Sequence, residues 1–230
     1  MSDIQSDGRP DVPAEVWGAA EADPATEQFG FFAMLDRMRC IRRWGLMRST
    51  QEENLSEHSL MTAVVAHALA VIRNLGLAGP GEPVNAERIA LRGMFHDVTE
   101  IITGDLPTPV KYYDEALRDA YRRVEQAARI RLMSFLPDVM QAAYRPLLSE
   151  DADTPGEAEE LRFVKAADKI CAHLKCAQEV RAGNGEFVSA HRQTAEKVAA
   201  IDLPECRYFM AHFADAYAAT LDELNPAGPR

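Results

Sequence analysis

The sequence is short of basic charge, of paired cysteines and of long apolar runs. Its 230 residues hold 25 Lys and Arg against 36 Asp and Glu, a formal charge of −11 with a pI near 5.0. That balance argues against a general nucleic-acid or anionic-membrane surface, while leaving room for a local basic patch that holds a small anion. The four cysteines, Cys40, Cys171, Cys176 and Cys206, form no CxxC pair. They fit reduced, mostly packed thiols rather than a disulfide framework or a zinc finger. The opening "MSDIQSDGRP" has neither a basic nor an apolar leader region, and the longest nearly apolar run, "MTAVVAHALAVI" at 61–72, is too short to span a bilayer. The expectation is a soluble, cytoplasmic protein with no nucleic-acid or membrane partner, whose partners are small molecules or further subunits. Alternating strand patterns and internal repeats are also missing, which removes sheet and solenoid architectures.

What is present is helical periodicity. Residues 1–26 mix Asp, Pro, Ala and Gly without a sustained pattern and read as a loosely held extension. Helices are predicted over 28–41, 56–75, 85–103, 114–135, 138–149, 157–182, 186–200 and 204–223, followed by a short tail at 226–230. Asn85 stands in N-cap position before "AERIALRGMFHDVTEII", and Gly183-Asn184-Gly185 supplies helix-ending residues. The fold class is all-α, one helical bundle over 27–225. The segment 56–75 is apolar almost all round, with Leu60, Val64, Val65, Ala68, Leu69 and Ile72, and is expected at the centre of the bundle.

Against this apolar background, "FHDVTEIITGDLPTPVK" at 95–111 puts His96, Asp97 and Glu100 within one turn and then breaks into a Gly-Asp and Pro-rich segment. Buried imidazoles and carboxylates are costly unless paired or bound to a cation. The apolar stripe of this segment is Ala86, Ile89, Ala90, Met94, Val98, Ile101 and Ile102. Gly93, His96 and Glu100 share a neighbouring face, and Gly93 permits a close backbone approach. Two donors do not complete a metal site. His58, in the first turn of its helix, and Asp168, pressed against the stripe Phe163, Val164, Ala167, Ile170, Cys171 and Leu174, are the candidates from elsewhere. Taken singly, His58 reads equally as a core or capping histidine, and Asp168 as a partner for Arg162, Lys165 or Lys169.

The order His, His-Asp, Asp on helical segments, together with "RRWGLMR" (42–48), "ENLSEHSL" (53–60), "MFHDVTEIITGDLPTPVKY" (94–112) and "VKAADKICAHLKCAQE" (164–179), resembles the bacterial HD-domain 5′-deoxynucleotidases, a branch of the metal-dependent HD phosphohydrolases. The resemblance covers about residues 28–225. It implies that His58, His96, Asp97 and Asp168 hold a divalent cation (Mn, Co, Zn, Fe or Ni). It also implies that Arg43 and Trp44 contact substrate, that Asp105, Leu106, Pro107 and Thr108 form a substrate loop, and that Glu100 lies at the reaction centre. His58, Asp97 and Asp168 would then border the substrate as well as the metal. Val98 and Thr99 vary within the motif, Lys169 follows the last aspartate, and the N-terminal extension has no counterpart.

The implied activity is hydrolysis of deoxyribonucleoside 5′-monophosphates by a homodimer. Arg43 would clamp the phosphate, and Glu100 and Asp105 would handle protons. Trp44 would stack on the sugar or wall off a 2′-hydroxyl, although core packing is its alternative role. Other readings are a different HD phosphohydrolase, such as a dNTP triphosphohydrolase or a nucleotide-signal hydrolase, and a non-catalytic metal-binding helical module. A polyphosphate tail would need more cations than the one arginine cluster at 37–48 offers, and most of those five arginines are expected in solvent or in ion pairs.

Overall fold

The computed structural model describes residues 29–107 and 113–225; the extension expected at 1–26, the tail at 226–230 and Thr108 lie outside the described residues. The chain runs through α1 (Phe31–Leu35), a 3₁₀ turn (Asp36–Cys40), α2 (Leu55–Asn74), α3 (Ala86–Phe95), α4 (Glu100–Thr103), α5 (Glu115–Met133) and α6 (Asp138–Leu148). It continues through α7 (Pro155–Arg181), α8 (Val188–Ala199), α9 (Pro204–His212) and α10 (Leu221–Leu224). Among the described residues no strand forms; one antiparallel bridge joins Arg42 to Asn54.

Side-chain caps explain where the long helices start. Asn54 and Glu57 form a reciprocal capping box on α2, with N–H to oxygen distances of 3.1 and 3.0 Å. Asn85, Asp114 and Thr154 accept from the first-turn N–H groups of α3, α5 and α7. Not every predicted helix is continuous α-helix. The segment 28–41 is α-helical over Phe31–Leu35 and tightens to 3₁₀ over Asp36–Cys40. The segment 204–223 stops at His212, passes through a 3₁₀ turn over Ala214–Ala218, and restarts where Thr220 caps α10, since Thr side chains compete for backbone N–H groups in this way. The segment 85–103 leaves the α-helix after Phe95 and re-enters it at Glu100, with i→i+3 bonds from Val98 to Phe95, Glu100 to Asp97 and Ile101 to Val98. A tightened stretch of this kind inside a helix marks strain or function.

Helix α2 packs against α3 and α7, and α3 against α7. One apolar cluster gathers Val65, Leu69, Ile89, Phe163, Ala167 and Ile170 with Leu203 and Phe209; a second gathers Phe31, Leu55, Val98, Leu132, Leu136 and Leu148. The expected stripe of α7 is buried throughout. By contrast, Leu60, Val64 and Met94, expected in the core, are about half exposed, because α2 and α3 present those positions outward from the crossing. By length and composition α2 is the one helix among the described residues apolar enough to cross a membrane, yet more than half of it is buried in the bundle. The nearly inaccessible Arg92 of α3 sits 3.3 Å from Glu157 and 2.8 Å from Glu160 of α7, and Arg88 pairs with the same two acids, so the buried charge is balanced within a network.

Candidate active site

By chain position the polar residues occupy the seam between the two apolar clusters. His58 follows Leu55 by one turn, Asp97 precedes Val98, and Asp168 lies between Ala167 and Ile170. Donor atoms of His58, His96, Asp97 and Asp168 all lie within 4.8 Å of one another. His58 Nε2 is 3.2 Å from Asp168 Oδ1 and 3.6 Å from Asp97 Oδ2, and His96 Nε2 is 2.9 Å from Asp97 Oδ2. It is thus the histidine of α2 that meets Asp168, rather than the Arg162, Lys165 or Lys169 weighed as its pair.

The tightened turn after Phe95 aims His96. Its Nδ1 donates to the Gly93 carbonyl at 2.8 Å, which leaves the lone pair of Nε2 facing the site. That Nε2 is buried and makes no hydrogen bond despite its closeness to Asp97, and the same holds for buried His58 Nδ1. A nitrogen lone pair beside a carboxylate oxygen is repulsive unless positive charge stands between them, so the donor set fits a divalent cation and, without one, draws a proton onto the ring. Ligands opposed across such an ion at about 2.1 Å span about 4 Å, close to the separation found here. The local electrostatics agree. Burial works against the His96 charge, but Asp97 and then Asp168 outweigh it, so its pKa is raised to about 9. Burial also opposes ionisation of Asp97, yet His96, His58 and Arg43 hold it well below the usual carboxylate range. Cys171, whose charge would be felt by Asp168, is pushed up to about 12 by burial and stays a thiol, outside the donor set.

The loop between the 3₁₀ turn and α2 brings in the cation of the site. Arg43 Nη1 is 3.5 Å from Asp97 Oδ2 and its Nε is 3.4 Å from Glu53 Oε2. Burial lowers its pKa, and Asp97, Glu53, Asp168 and Asp105 together raise it above the ordinary arginine value. The neighbouring Trp44 has φ of 59°, a left-handed conformation that a bulky side chain adopts only when its surroundings hold it there. Its Nε1 donates to Glu53 Oε2 at 3.1 Å and its ring lies 5.5 Å from that of Phe187. The other arginines of the cluster turn elsewhere: Arg37 is exposed, Arg39 pairs with Asp36, Arg42 with Glu52 and Arg48 with Glu186. Glu100, mostly buried, opens α4, and Gly104, at φ of 72°, turns the chain into Asp105, Leu106 and Pro107, all partly buried.

The sequence pattern of the 5′-deoxynucleotidase YfbR-like family matches residues 30–217. The chain belongs to this family. Among YfbR-like relatives, a 5′-deoxynucleotidase of Photobacterium profundum is 46% identical over 199 residues, covering 86% of this chain and 100% of that one. The fold is shared more widely. An HD-domain phosphohydrolase of Listeria innocua superposes with a TM-score of 0.68 at 23% identity, over 83% of this chain and 89% of that one. An HD phosphohydrolase of cyanophage S-2L, solved with dA and one catalytic Zn²⁺ ion, superposes with a TM-score of 0.58 at 18% identity, over 84% and 100%. The all-α HD bundle expected from the sequence is therefore the fold of this YfbR-like chain.

Two residues of this YfbR-like site escaped the sequence reading. Glu53 binds both Arg43 and Trp44; in the sequence it heads the segment ENLSEHSL and stands just before the N-cap Asn54, with nothing local to show its partners. Glu179, late in α7, is buried and accepts from the N–H and hydroxyl of Thr50, the N–H of Gln51, Lys175 and Asn184, anchoring the base of the same loop.

Proposed function

We propose that the chain hydrolyses deoxyribonucleoside 5′-monophosphates to deoxyribonucleosides and phosphate, with a divalent cation held by His58, His96, Asp97 and Asp168. The observation that carries this reading is the convergence of those four donors, with a buried, unbonded His96 Nε2 among them. When bound, a divalent cation supplies Lewis-acid stabilisation of phosphoryl charge and acidifies the attacking water. Arg43 grips the phosphate with its planar fork, its charge secured by the acids around it. Glu100, beside the His-Asp turn, orients that water and accepts its proton, and Asp105 serves the leaving 5′ oxygen or the sugar. Trp44, Leu106 and Pro107 border the deoxyribose. A hydrophobic wall discriminates against an added hydroxyl only about a hundredfold, so Trp44 must also exclude it sterically to do better.

The exposure of Arg37 and the pairing of Arg39, Arg42 and Arg48 with other acids favour a monophosphate over a triphosphate, since Arg43 is then the arginine of the 37–48 cluster turned toward the site. The exposed apolar residues Leu60, Val64, Leu91 and Met94 of α2 and α3 support a homodimer. A phosphate-release assay across dAMP, AMP, dATP and a cyclic dinucleotide tests the substrate reading. Preferred release from dAMP is expected, and equal or greater activity on dATP overturns it.

A further inference from the structure

We propose that Glu53 is the positioning residue for sugar selectivity, because one of its carboxylate oxygens holds both the arginine and the indole that meet the substrate. The inference rests on the reading of Arg43 and Trp44 as substrate contacts and adds to it the residue that aims them.

The geometry is specific. Glu53 Oε2 accepts from Trp44 Nε1 at 3.1 Å and lies 3.4 Å from Arg43 Nε. The backbone repeats the connection: the Arg43 N–H donates to the Glu53 carbonyl at 3.0 Å and the Leu55 N–H to the Ile41 carbonyl at 2.9 Å, on either side of the Arg42–Asn54 bridge. Glu53 thus sits in a fixed frame, one residue before the cap of the helix that carries His58. Trp44, by contrast, is in a conformation that costs free energy. Its backbone is turned back by the Met47 N–H, which donates to its carbonyl at 2.8 Å, and its ring leans on Phe187. The indole N–H bond to Glu53 is the polar contact that decides where the ring edge points. Arg43 is held in the same way on its Nε side, while Nη1 reaches toward Asp97. A shift of this carboxylate would therefore swing the phosphate clamp and the sugar wall together.

Two other roles for Glu53 make different predictions. A charge-balancing carboxylate for Arg43 would work equally well as aspartate. A merely structural one would affect deoxy and ribo substrates alike. Wild type, Glu53→Ala and Glu53→Asp are to be compared for phosphate release from dAMP and AMP with the same added divalent metal, alongside metal content and circular dichroism. Trp44 emission is to be recorded in a Trp17→Phe background. Both variants are expected to keep metal and helicity, to shift the emission maximum, and to cut the dAMP/AMP ratio of kcat/KM by about tenfold, the scale of one hydrogen bond to a charged group. Retention of the ratio within about twofold in Glu53→Asp, or equal losses on the two substrates in either variant, overturns the proposal. If Glu53→Ala does not fold, the aspartate variant decides alone. Failure of the wild type to act on dAMP would instead remove the proposed function, and so is distinguishable from failure of this inference.

Discussion

Gly93 lies directly on the backbone of Ala63. A methyl group added at Gly93 would stand 2.9 Å from Ala63 Cα and 3.1 Å from its nitrogen, backbone atoms that cannot swing aside. The crossing of α2 and α3 is set at this point, with His58 before Ala63 on one helix and His96 just after Gly93 on the other. Gly93→Ala would gain helix propensity, but overpacking of this kind typically costs about 1–3 kcal/mol. Chemical denaturation is expected to show a lower midpoint, and metal titration a weaker site. A more stable variant with unchanged metal affinity would contradict the role assigned to this crossing.

Metal retention and turnover should separate along α3 and α4. His96→Ala removes a donor and is expected to abolish stoichiometric metal binding. Glu100→Ala should keep the metal and lose about a hundredfold or more in kcat, the usual contribution of a general base. Elemental analysis of each purified variant, paired with phosphate release from dAMP, measures both quantities. A fully active Glu100→Ala enzyme would take Glu100 out of the reaction.

Arg43→Lys keeps the charge and discards the fork. Because planar bidentate recognition of phosphate depends on the guanidinium, KM for dAMP is expected to rise by about tenfold while metal content stays constant. Arg43→Ala should lose more. An unchanged kcat/KM in both variants would take Arg43 out of the substrate site.

Acid should loosen the loop that carries Arg43 and Trp44. Burial pushes the Glu179 carboxyl up, but the bonds from Lys175, Thr50 and Asn184 outweigh it and hold the group well below its ordinary 4.5. A carboxylate with a folded pKa below its unfolded one contributes stability that is present in full above the unfolded value and fades as pH falls toward the folded one. The denaturation midpoint is therefore expected to decline below about pH 4.5. Glu179→Gln should be less stable at pH 7 and show a flatter acid slope, which urea titrations between neutral and acid pH would reveal.

Much of this architecture was legible because it is periodic. The buried face of α7, from Phe163 to Leu174, and the cap at Asn85 follow from spacing and local hydrogen bonding alone. The His58, His96, Asp97 and Asp168 quartet was legible through its order on helical segments and the family resemblance. The break after Phe95 was not. Val98, Ile101 and Ile102 continue the helical stripe, and only the tertiary position shows that the backbone tightens to aim His96. Leu60, Val64 and Met94 misled because apolar residues on a central helix need not all face inward. Glu53 and Glu179 stand at the ends of two family segments, yet their roles were not legible, because their partners lie across loops at separations that no local pattern records.

Glu179 and Asp168 belong to one helix, α7, and that shared support sets what can be moved between proteins. The segment from Ile41 to Asn54 looks like a portable cassette, with its own bridge and its own acid, Glu53. Its base, however, is fastened through Thr50 and Gln51 to Glu179, and through the Arg48 carbonyl to Asn184. Grafting the loop alone into another HD scaffold would leave Arg43 and Trp44 without their footing. The smallest exchangeable unit is the loop together with the second half of α7 and the turn through Asn184, so a new sugar preference would be installed as that pair of segments.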